Sequence, residues 1–147
     1  PGVLFQLVGR QTEELRPEAE RLGVAGHVEI LGERTDVPEL LSKTHLFVMP
    51  SLMEGIGTAL IEAQAAGVPV VASEVGGLPD VVEKGVTGLL TPPGDAQALA
   101  QALLRLLKSP EEREAMAARA VENARARFSV ETVTDRLEAL YSRTERP

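Results

Sequence analysis

Five short apolar segments alternate with helical patterns along this chain, and this alternation limits the fold more than any other feature of the sequence. The apolar segments are residues 3–8, 28–31, 46–49, 70–72 and 88–90. Each is followed by a turn or helix signal, as in a parallel β-sheet that is covered by helices on both faces. We therefore predict an α/β fold built on five parallel strands.

Helical patterns occupy the segments between these strands, and two prolines mark where helices begin. The patterns cover residues 16–22, 37–43, 58–66 and 79–84. Pro17 would cost about 3 kcal/mol inside a longer helix, so we predict that the first helix starts or kinks there. Pro79 is predicted at the first position of the fourth helix, which Gly85 closes.

The last third of the chain is predicted to be entirely helical. Asp95 and Ser129 are candidate N-caps, and Ser109 with Glu112 has the spacing of a capping box. Two of the helices carry apolar stripes, one of Leu99, Leu103, Leu106 and Leu107, the other of Val130, Val133, Leu137 and Leu140. We expect both stripes to face the core rather than a partner, because amphipathic helices ordinarily bury one face on their own sheet.

Composition favours a single compact domain over residues 1–147. Hydrophobic residues make up 44% of the chain, which is enough to build a proper core. The net charge of −7 and the scarcity of aromatic residues argue against a nucleic-acid surface, which needs a basic footprint and usually stacking rings. No apolar run reaches the roughly 18 residues of a membrane span, and no secretory leader opens the chain, so nothing in the sequence indicates either. The absence of cysteine favours a cytoplasmic protein.

The sequence offers no evident metal site. It has no cysteine, which excludes disulfides and thiolate ligands. Its two histidines, His27 and His45, are far apart and lack ligand spacing, so we interpret them as structural or solvent-facing. We therefore expect neither a metal nor another cofactor to be required.

The strongest candidate for a ligand site is residues 50–63, where a strand passes into a helix through an acidic turn flanked by glycines. The turn follows the apolar run 46–49, so it lies at the carboxyl end of a strand, the edge at which open α/β sheets bind ligands. Gly55 and Gly57 have no Cβ atom, which lets a ligand approach the backbone. The unpaired N–H groups around Gly57 and Thr58 would attract a phosphate.

Two glutamates, Glu54 and Glu62, flank this helix start. Glu62 is one turn beyond Thr58, about 6 Å of rise, and helical side chains lean towards the N-terminus, so its carboxylate returns towards the phosphate site. Carboxylates accept hydrogen bonds from hydroxyl groups, which suits a ligand with a phosphate and vicinal hydroxyls, such as a nucleotide sugar. The alternative is that Glu54 is a helix-entry acid favoured by the helix dipole and Glu62 an ordinary exposed residue.

Several ordered motifs resemble the donor-binding half of family-4 glycosyltransferases. They are PSLMEGIG at residues 50–57, EAQAAGVPVVA at 62–72, GGLPDVV at 76–82, GVTGLL at 85–90 and PPGD at 92–95. The resemblance covers nearly the whole chain. It implies a GT-B arrangement, in which two Rossmann-like domains face a cleft, and it identifies this chain as the second, nucleotide-sugar-binding domain without the acceptor domain. It also implies that the terminal helix packs partly on the first domain, so we expect some of the apolar face of that helix to be exposed in this chain.

The resemblance also implies roles for particular residues. Glu54 corresponds to the family glutamate near the transferred sugar and is the catalytic candidate, whereas Glu62 corresponds to the glutamate that accepts hydrogen bonds from the ribose hydroxyls. The donor-binding candidates are Glu54, Gly55, Ile56, Gly57, Thr58, Glu62, Leu31 and Gly32. The turn at Leu31 and Gly32 matches the one that lies against the base, the plainer alternative being an ordinary strand exit. We interpret Gly76 and Gly77 as a tight turn rather than a ligand contact.

Family members carry a further strand, a Gly-Arg turn and a Lys-Gly helix start before the segment that resembles residues 1–9. The start of this chain at Pro1 therefore suggests a piece of a longer protein, with the first strand missing. No Lys-Gly follows Arg10, so we assign Arg10 no catalytic role. The missing strand would lie between residues 3–8 and 46–49, so we expect those edges to pair directly, or a neighbouring molecule to fill the gap through self-association. The alternative is that the missing segment exists as a separate chain.

For function, the resemblance implies transfer of a sugar from a nucleotide diphosphate to an unknown acceptor, with retention at the anomeric carbon. The isolated chain is expected to be inactive. The alternative is a non-catalytic nucleotide-binding or regulatory module with the same fold, and a GT-B epimerase or phosphorylase is a third candidate. A hydrolase fits poorly, because both glutamates lie on one side of a phosphate-type helix start.

Overall fold

The computed structural model of the chain describes residues 2–144, which form an α/β fold of five strands and seven α-helices. The strands are β1 (Phe5–Val8), β2 (Val28–Gly32), β3 (Phe47–Met49), β4 (Val70–Ser73) and β5 (Gly88–Thr91). The helices are α1 (Arg16–Arg21), α2 (Val37–Ser42), α3 (Thr58–Ala65), α4 (Leu78–Val81), α5 (Ala96–Lys108), α6 (Pro110–Phe128) and α7 (Val130–Thr144). The α/β class and all five predicted strands are confirmed.

The strands form two parallel sheets. In one, β1 pairs with β2, and Phe5 lies opposite Val28. The other has the order β3-β4-β5, with Phe47 opposite Val70 and Val70 opposite Gly88. Within residues 2–144, β1 pairs only with β2 and β3 pairs only with β4, so the direct pairing of β1 with β3 that we considered is not found.

The chain divides into two compact units, Pro1–Glu39 and Leu40–Pro147. The smaller unit contains β1, α1 and β2, and the Gly9 N–H donates to the Gly32 carbonyl oxygen at 2.8 Å where the two strands end. Its strands are only partly covered, since Phe5 is 43% exposed. The prediction of one domain stays a prediction, and residues 1 and 145–147 of it lie outside the described residues.

The larger unit holds the main core around β4, which is buried along its whole length. Val71 on this strand packs against Leu106 of α5. Successive strand residues point to opposite faces, so Ala72 points away from α5. Its register partner Met49 lies beside Gly57, at the start of α3. This part of the sheet is therefore covered by α5 on one face and by α3 on the other. The apolar segment 70–72 predicted a strand that is covered on both faces in this way.

The two apolar helix stripes differ in what covers them. On α5, Leu106 is fully buried, and Leu99 and Leu103 pack against its cluster. On α7, the stripe residues are 78%, 43%, 48% and 59% exposed in the order Val130, Val133, Leu137 and Leu140. Because α7 makes its main contact with α6 rather than with a sheet, the predicted core face is confirmed for α5 and is not found on α7. The exposure that the resemblance implied for part of the terminal helix extends along the whole stripe.

The helix caps agree in part with the sequence. Asp95 Oδ1 accepts the Ala98 N–H at 2.8 Å, and Ser129 Oγ accepts the Thr132 N–H at 3.2 Å, so both predicted N-caps are confirmed. Pro17 occupies the first turn of α1, where the missing N–H costs nothing.

The capping box predicted at the start of α6 does not form. Ser109 stands at the N-cap position, but its side chain makes no capping hydrogen bond. Glu112, the expected reciprocal partner, instead forms an ion pair with Arg105 of α5. A charged partner on the neighbouring helix therefore competes successfully for this carboxylate.

The fourth helix is shorter than predicted and ends at Val81 instead of residue 84. The Glu83 N–H donates to the buried Thr87 hydroxyl oxygen at 2.9 Å, and the Gly85 N–H donates to the Gly88 carbonyl oxygen at 2.8 Å. These bonds fold the segment into a tight turn that leads into β5. Gly85 therefore lies in that turn and does not close the helix.

Candidate functional site

The acidic turn lies where the sequence predicted it, between the carboxyl end of β3 and the start of α3. Glu54 is half-buried in the turn, and Glu62 is exposed on α3. Of the residues between them that are proposed to meet a ligand, Gly55 and Thr58 are exposed and Ile56 is 53% exposed, whereas Gly57 is buried. The two carboxylates and the exposed part of the turn are therefore within reach of a ligand from solvent.

Gly57 opens α3 in a left-handed conformation, with φ 65° and ψ 61°. No side chain caps this helix, so the first-turn N–H groups around Thr58 have no side-chain acceptor. A Cβ atom at Gly57 would overlap with Leu78 Cδ2, so at this position glycine serves packing as well as backbone conformation. A Cβ atom at Gly55 would meet nothing within 4 Å, so the open approach that we expected at both glycines is found at Gly55.

The Glu54 side chain folds back on its own turn. Its Oε1 accepts the Gly55 N–H at 3.1 Å, and Ser51 Oγ lies 3.5 Å from Oε2, which is long for a hydrogen bond. Ser51 therefore faces the carboxylate, a role that we did not assign from the sequence. The three-residue spacing from Ser51 to Glu54 in a turn is the only signal that could have suggested it.

A second turn, between β4 and α4, packs against the backbone of the acidic turn. The Gly77 N–H donates to the Gly55 carbonyl oxygen at 2.8 Å. A Cβ atom at Gly76, whose φ is 52°, would overlap with the Glu54 carbonyl oxygen. Gly76 and Gly77 thus make the tight turn that we predicted, and in addition they touch the two residues at the centre of the candidate site.

A buried polar network holds α3 against α4 and α6. Gln64 on α3 is fully buried, and its amide nitrogen donates to the Val81 carbonyl oxygen at 3.3 Å. Asn123 of α6 donates to Gln64 Oε1 at 3.2 Å and to the same Val81 oxygen at 3.3 Å. Arg127 adds a hydrogen bond to the Asp80 carbonyl oxygen. These bonds fix the helix that carries Glu62, because the fully buried Gln64 amide would otherwise be left without a partner.

Leu31 and Gly32 end β2 in the smaller unit and are both half-buried. Gly32 has φ 64°, and a Cβ atom there would meet nothing within 4 Å. Next to Gly32 in the sequence, exposed Glu33 forms an ion pair with exposed Arg10, with 3.2 Å between Glu33 Oε1 and Arg10 Nε. These contacts neither require nor exclude a ligand at Leu31 and Gly32, whose role stays a prediction.

A shallow cavity of about 140 Å³ lies at the carboxyl ends of β4 and β5, near the start of α5. Pro50, the first residue after β3, lines it together with buried Ser73 and Thr91. Residues 54–58 do not line this cavity. The acidic turn is therefore an open surface feature of the larger unit rather than the wall of this cavity.

The described residues contain no cluster of three or more histidine, cysteine, aspartate or glutamate side chains arranged to hold a metal ion. His27 and His45 are both exposed, in line with the solvent-facing interpretation. Across residues 2–144, no helix has the length and apolar character needed to cross a membrane.

Two proteins are among the curated relatives of similar sequence. D-inositol 3-phosphate glycosyltransferase of Mycobacterium avium is 39% identical over 130 residues, which are 87% of this chain and 31% of that protein. N-acetyl-alpha-D-glucosaminyl L-malate synthase of Bacillus anthracis is 35% identical over 122 residues, which are 83% of this chain and 32% of that protein. The chain thus spans about a third of the length of these relatives.

Solved structures agree with these relatives. HepE of Anabaena in complex with UDP superposes with a TM-score of 0.90 at 33% identity, over 95% of this chain and 41% of that chain. Sucrose-phosphate synthase of Thermosynechococcus elongatus superposes with a TM-score of 0.85 at 33% identity, over 95% of this chain and 38% of that chain. The expected kinship with GT-B glycosyltransferases is confirmed, whereas membership of family 4 stays a prediction.

A protein-family model also matches this chain. The model described as "Glycosyl transferases group 1" matches residues 1–125, which include all the motifs on which the resemblance rests. The chain belongs to the group 1 glycosyltransferase family.

Proposed function

We propose that this chain is the part of a glycosyltransferase that binds the nucleotide-diphosphate sugar donor. The observation that carries the proposal is the acidic turn at the carboxyl end of parallel strand β3, in which left-handed Gly57 opens α3 without a side-chain cap. Such a helix start binds phosphate groups, and the adjacent carboxylates accept hydrogen bonds from hydroxyl groups. The UDP complex of Anabaena HepE, which resembles this chain at 33% identity, supports a nucleoside diphosphate as the ligand.

The proposal assigns a role to each of the candidate site residues. Backbone groups of residues 55–58 bind the diphosphate and the sugar, and Glu62 accepts hydrogen bonds from the ribose hydroxyls. Glu54 lies beside the transferred sugar and is the catalytic candidate. Leu31 and Gly32, in the smaller unit, are proposed to contact the base through backbone groups. No metal or organic cofactor enters the proposal.

For the parent protein we propose transfer with retention at the anomeric carbon. Because the chain spans about a third of the length of its curated relatives, we place the acceptor-binding residues outside it, and we expect the isolated chain to be inactive. Proton NMR of the product formed by the parent protein tests the stereochemistry, since the coupling constant of the anomeric proton reports the configuration. An inverted product would contradict retention without affecting donor binding.

The experiment that tests donor binding is calorimetric titration of this chain with UDP, GDP and ADP. We expect one nucleotide to bind selectively and Glu62→Ala to weaken it by about 1.5–3 kcal/mol, the range for a hydrogen bond to a charged group. This corresponds to a loss of roughly 10- to 150-fold in affinity. The reason is that the ribose hydroxyls lose a charged acceptor while the exposed position leaves the fold intact.

Glu114→Ala on α6 is the matched control, because Glu114 is also an exposed helical glutamate but lies outside the proposed site. We expect it to bind the nucleotide as the unsubstituted chain does. Equal affinity in folded Glu62→Ala would remove the ribose assignment. No binding of any nucleotide to the folded, unsubstituted chain would instead contradict donor binding and favour a regulatory module.

Self-association is the proposal that follows from the strand edges. Within residues 2–144, β1 and β3 each pair on one side only, and such edges tend to pair with another chain. We expect sedimentation velocity to show dimers or larger species that dissociate on dilution. Phe5→Lys, at an exposed position on β1, should reduce the association because an edge lysine blocks strand addition. A monodisperse monomer at all concentrations would contradict the proposal.

A further inference from the structure

We propose that the glycine pair Gly76–Gly77 is a positioning element of the donor site, which fixes the backbone of the acidic turn before any ligand binds. The inference deepens the proposed function and rests on it, because the positioned residues, Glu54 to Gly57, are among those assigned to the donor. Neither glycine has a side chain that could touch the donor. Both would act through the turn against which they pack.

The first argument is the hydrogen bond from the Gly77 N–H to the Gly55 carbonyl oxygen, at 2.8 Å. No peptide bond among the described residues is cis, so the Ile56 N–H points opposite to this carbonyl in the same planar unit. Fixing the carbonyl therefore also fixes the direction of the Ile56 N–H, which points away from Gly77. No residue within 2–144 accepts that N–H, which is therefore free to donate to a ligand or to water.

The second argument is that a side chain at either glycine would collide with the backbone of the acidic turn. A Cβ atom at Gly76 would overlap with the Glu54 carbonyl oxygen. At Gly77 it would lie 2.6 Å from the Gly55 carbonyl oxygen and 3.4 Å from the Ile56 Cα atom. Backbone atoms cannot rotate away as the end of a flexible side chain can. The turn itself would have to shift, and Glu54 and the Ile56 N–H would shift with it.

Two other glycines of the chain serve as controls, because neither has a neighbour with which a Cβ atom would collide. Gly85 has φ 77° but a Cβ atom there would meet nothing within 4 Å, so Gly85→Ala shares the backbone strain of Gly76→Ala without the collision. Gly77 has φ −86°, which any residue adopts, and therefore needs glycine only for the contact. Gly26 lacks both the left-handed conformation and any neighbour within 4 Å, and is the matched control for Gly77.

The test uses the full chain and the variants Gly76→Ala, Gly77→Ala, Gly85→Ala and Gly26→Ala. For each folded variant, calorimetry measures the affinity for whichever of UDP, GDP and ADP binds the unsubstituted chain, and ¹⁵N NMR records the Gly55 and Ile56 amide signals. We expect Gly76→Ala and Gly77→Ala to lose at least tenfold in affinity and to shift both signals. Gly85→Ala and Gly26→Ala should stay within twofold, with both signals unmoved.

The outcomes separate the positioning role from donor binding itself. If no nucleotide binds the unsubstituted chain, the donor proposal fails, and the amide signals alone decide whether the glycines position the turn. Unmoved Gly55 and Ile56 signals in folded Gly77→Ala would overturn the positioning role, as would an unchanged affinity. Should neither site variant fold, hydrogen exchange of the Gly77 amide in the unsubstituted chain decides. Protection supports the bond to Gly55, and exchange at the unprotected rate overturns it.

Discussion

Leu106→Ala is expected to lower the free energy of unfolding by about 2–5 kcal/mol, the range for leucine truncation in a packed core. Leu106 is fully buried on α5 and packs in one cluster with Val71, Leu89 and Met116. Alanine would remove most of this side chain and leave a cavity between the helix and the sheet. Urea denaturation followed by circular dichroism measures the loss.

Leu104→Ala is the matched control on the same helix. Leu104 is 50% exposed, so the same chemical change there should cost less than about 1 kcal/mol, as surface substitutions usually do. Equal losses in the two variants would contradict the assignment of this helix face to the core. A change in the slope of the unfolding free energy against urea concentration, rather than in the midpoint concentration, would indicate an altered denatured state instead.

The sequence was sufficient to predict which face of α5 is apolar, but not whether another element of the fold covers such a face. The spacing of Leu99, Leu103 and Leu106 correctly predicted a buried stripe, because the helix lies on its own sheet. The stripe that begins at Val130 has similar periodicity, yet it is exposed on α7. Periodicity reports which face of a helix is apolar, whereas burial depends on which element lies opposite, and the pattern of one segment carries no such information.

The acidic turn could be predicted because its signals are local. A strand, two glycines and a helix start follow one another within residues 46–58, and the structure has them in that order. The contact between Gly77 and Gly55 joins segments that are distant in the sequence, and glycine has no side chain whose chemistry could have indicated it. The shortened α4 also depends on a residue outside the helical pattern, since the Thr87 hydroxyl, six residues beyond the helix, accepts the Glu83 N–H.

Gly57→Ala is expected to lower the free energy of unfolding by about 2–5 kcal/mol. Two costs add in this estimate. Alanine in the left-handed conformation of Gly57 costs about 1–2 kcal/mol, and overpacking of a filled core costs about 1–3 kcal/mol. The second cost arises because the new methyl group would overlap with Leu78, which is fully buried and has little room to move. Urea denaturation measures the total.

Gly94→Ala separates the two costs. Gly94 has φ 73°, but a Cβ atom there would lie 3.7 Å from its nearest neighbour, Leu52 Cδ2, which is ordinary contact. We therefore expect Gly94→Ala to lose only the conformational part, about 1–2 kcal/mol. A loss at Gly57 no larger than this would show that Leu78 yields without cost.

The overlap between the new methyl group at residue 57 and Leu78 can also be tested by substituting Leu78. Leu78→Ala alone should destabilise the chain, because it empties a fully buried position. Combined with Gly57→Ala, it removes the atom with which the new methyl group collides, so the double variant should be less destabilised than the sum of the two single variants. Additive losses within about 0.5 kcal/mol would mean that the residues do not interact. In that case the requirement for glycine at the start of α3 would come from backbone conformation alone.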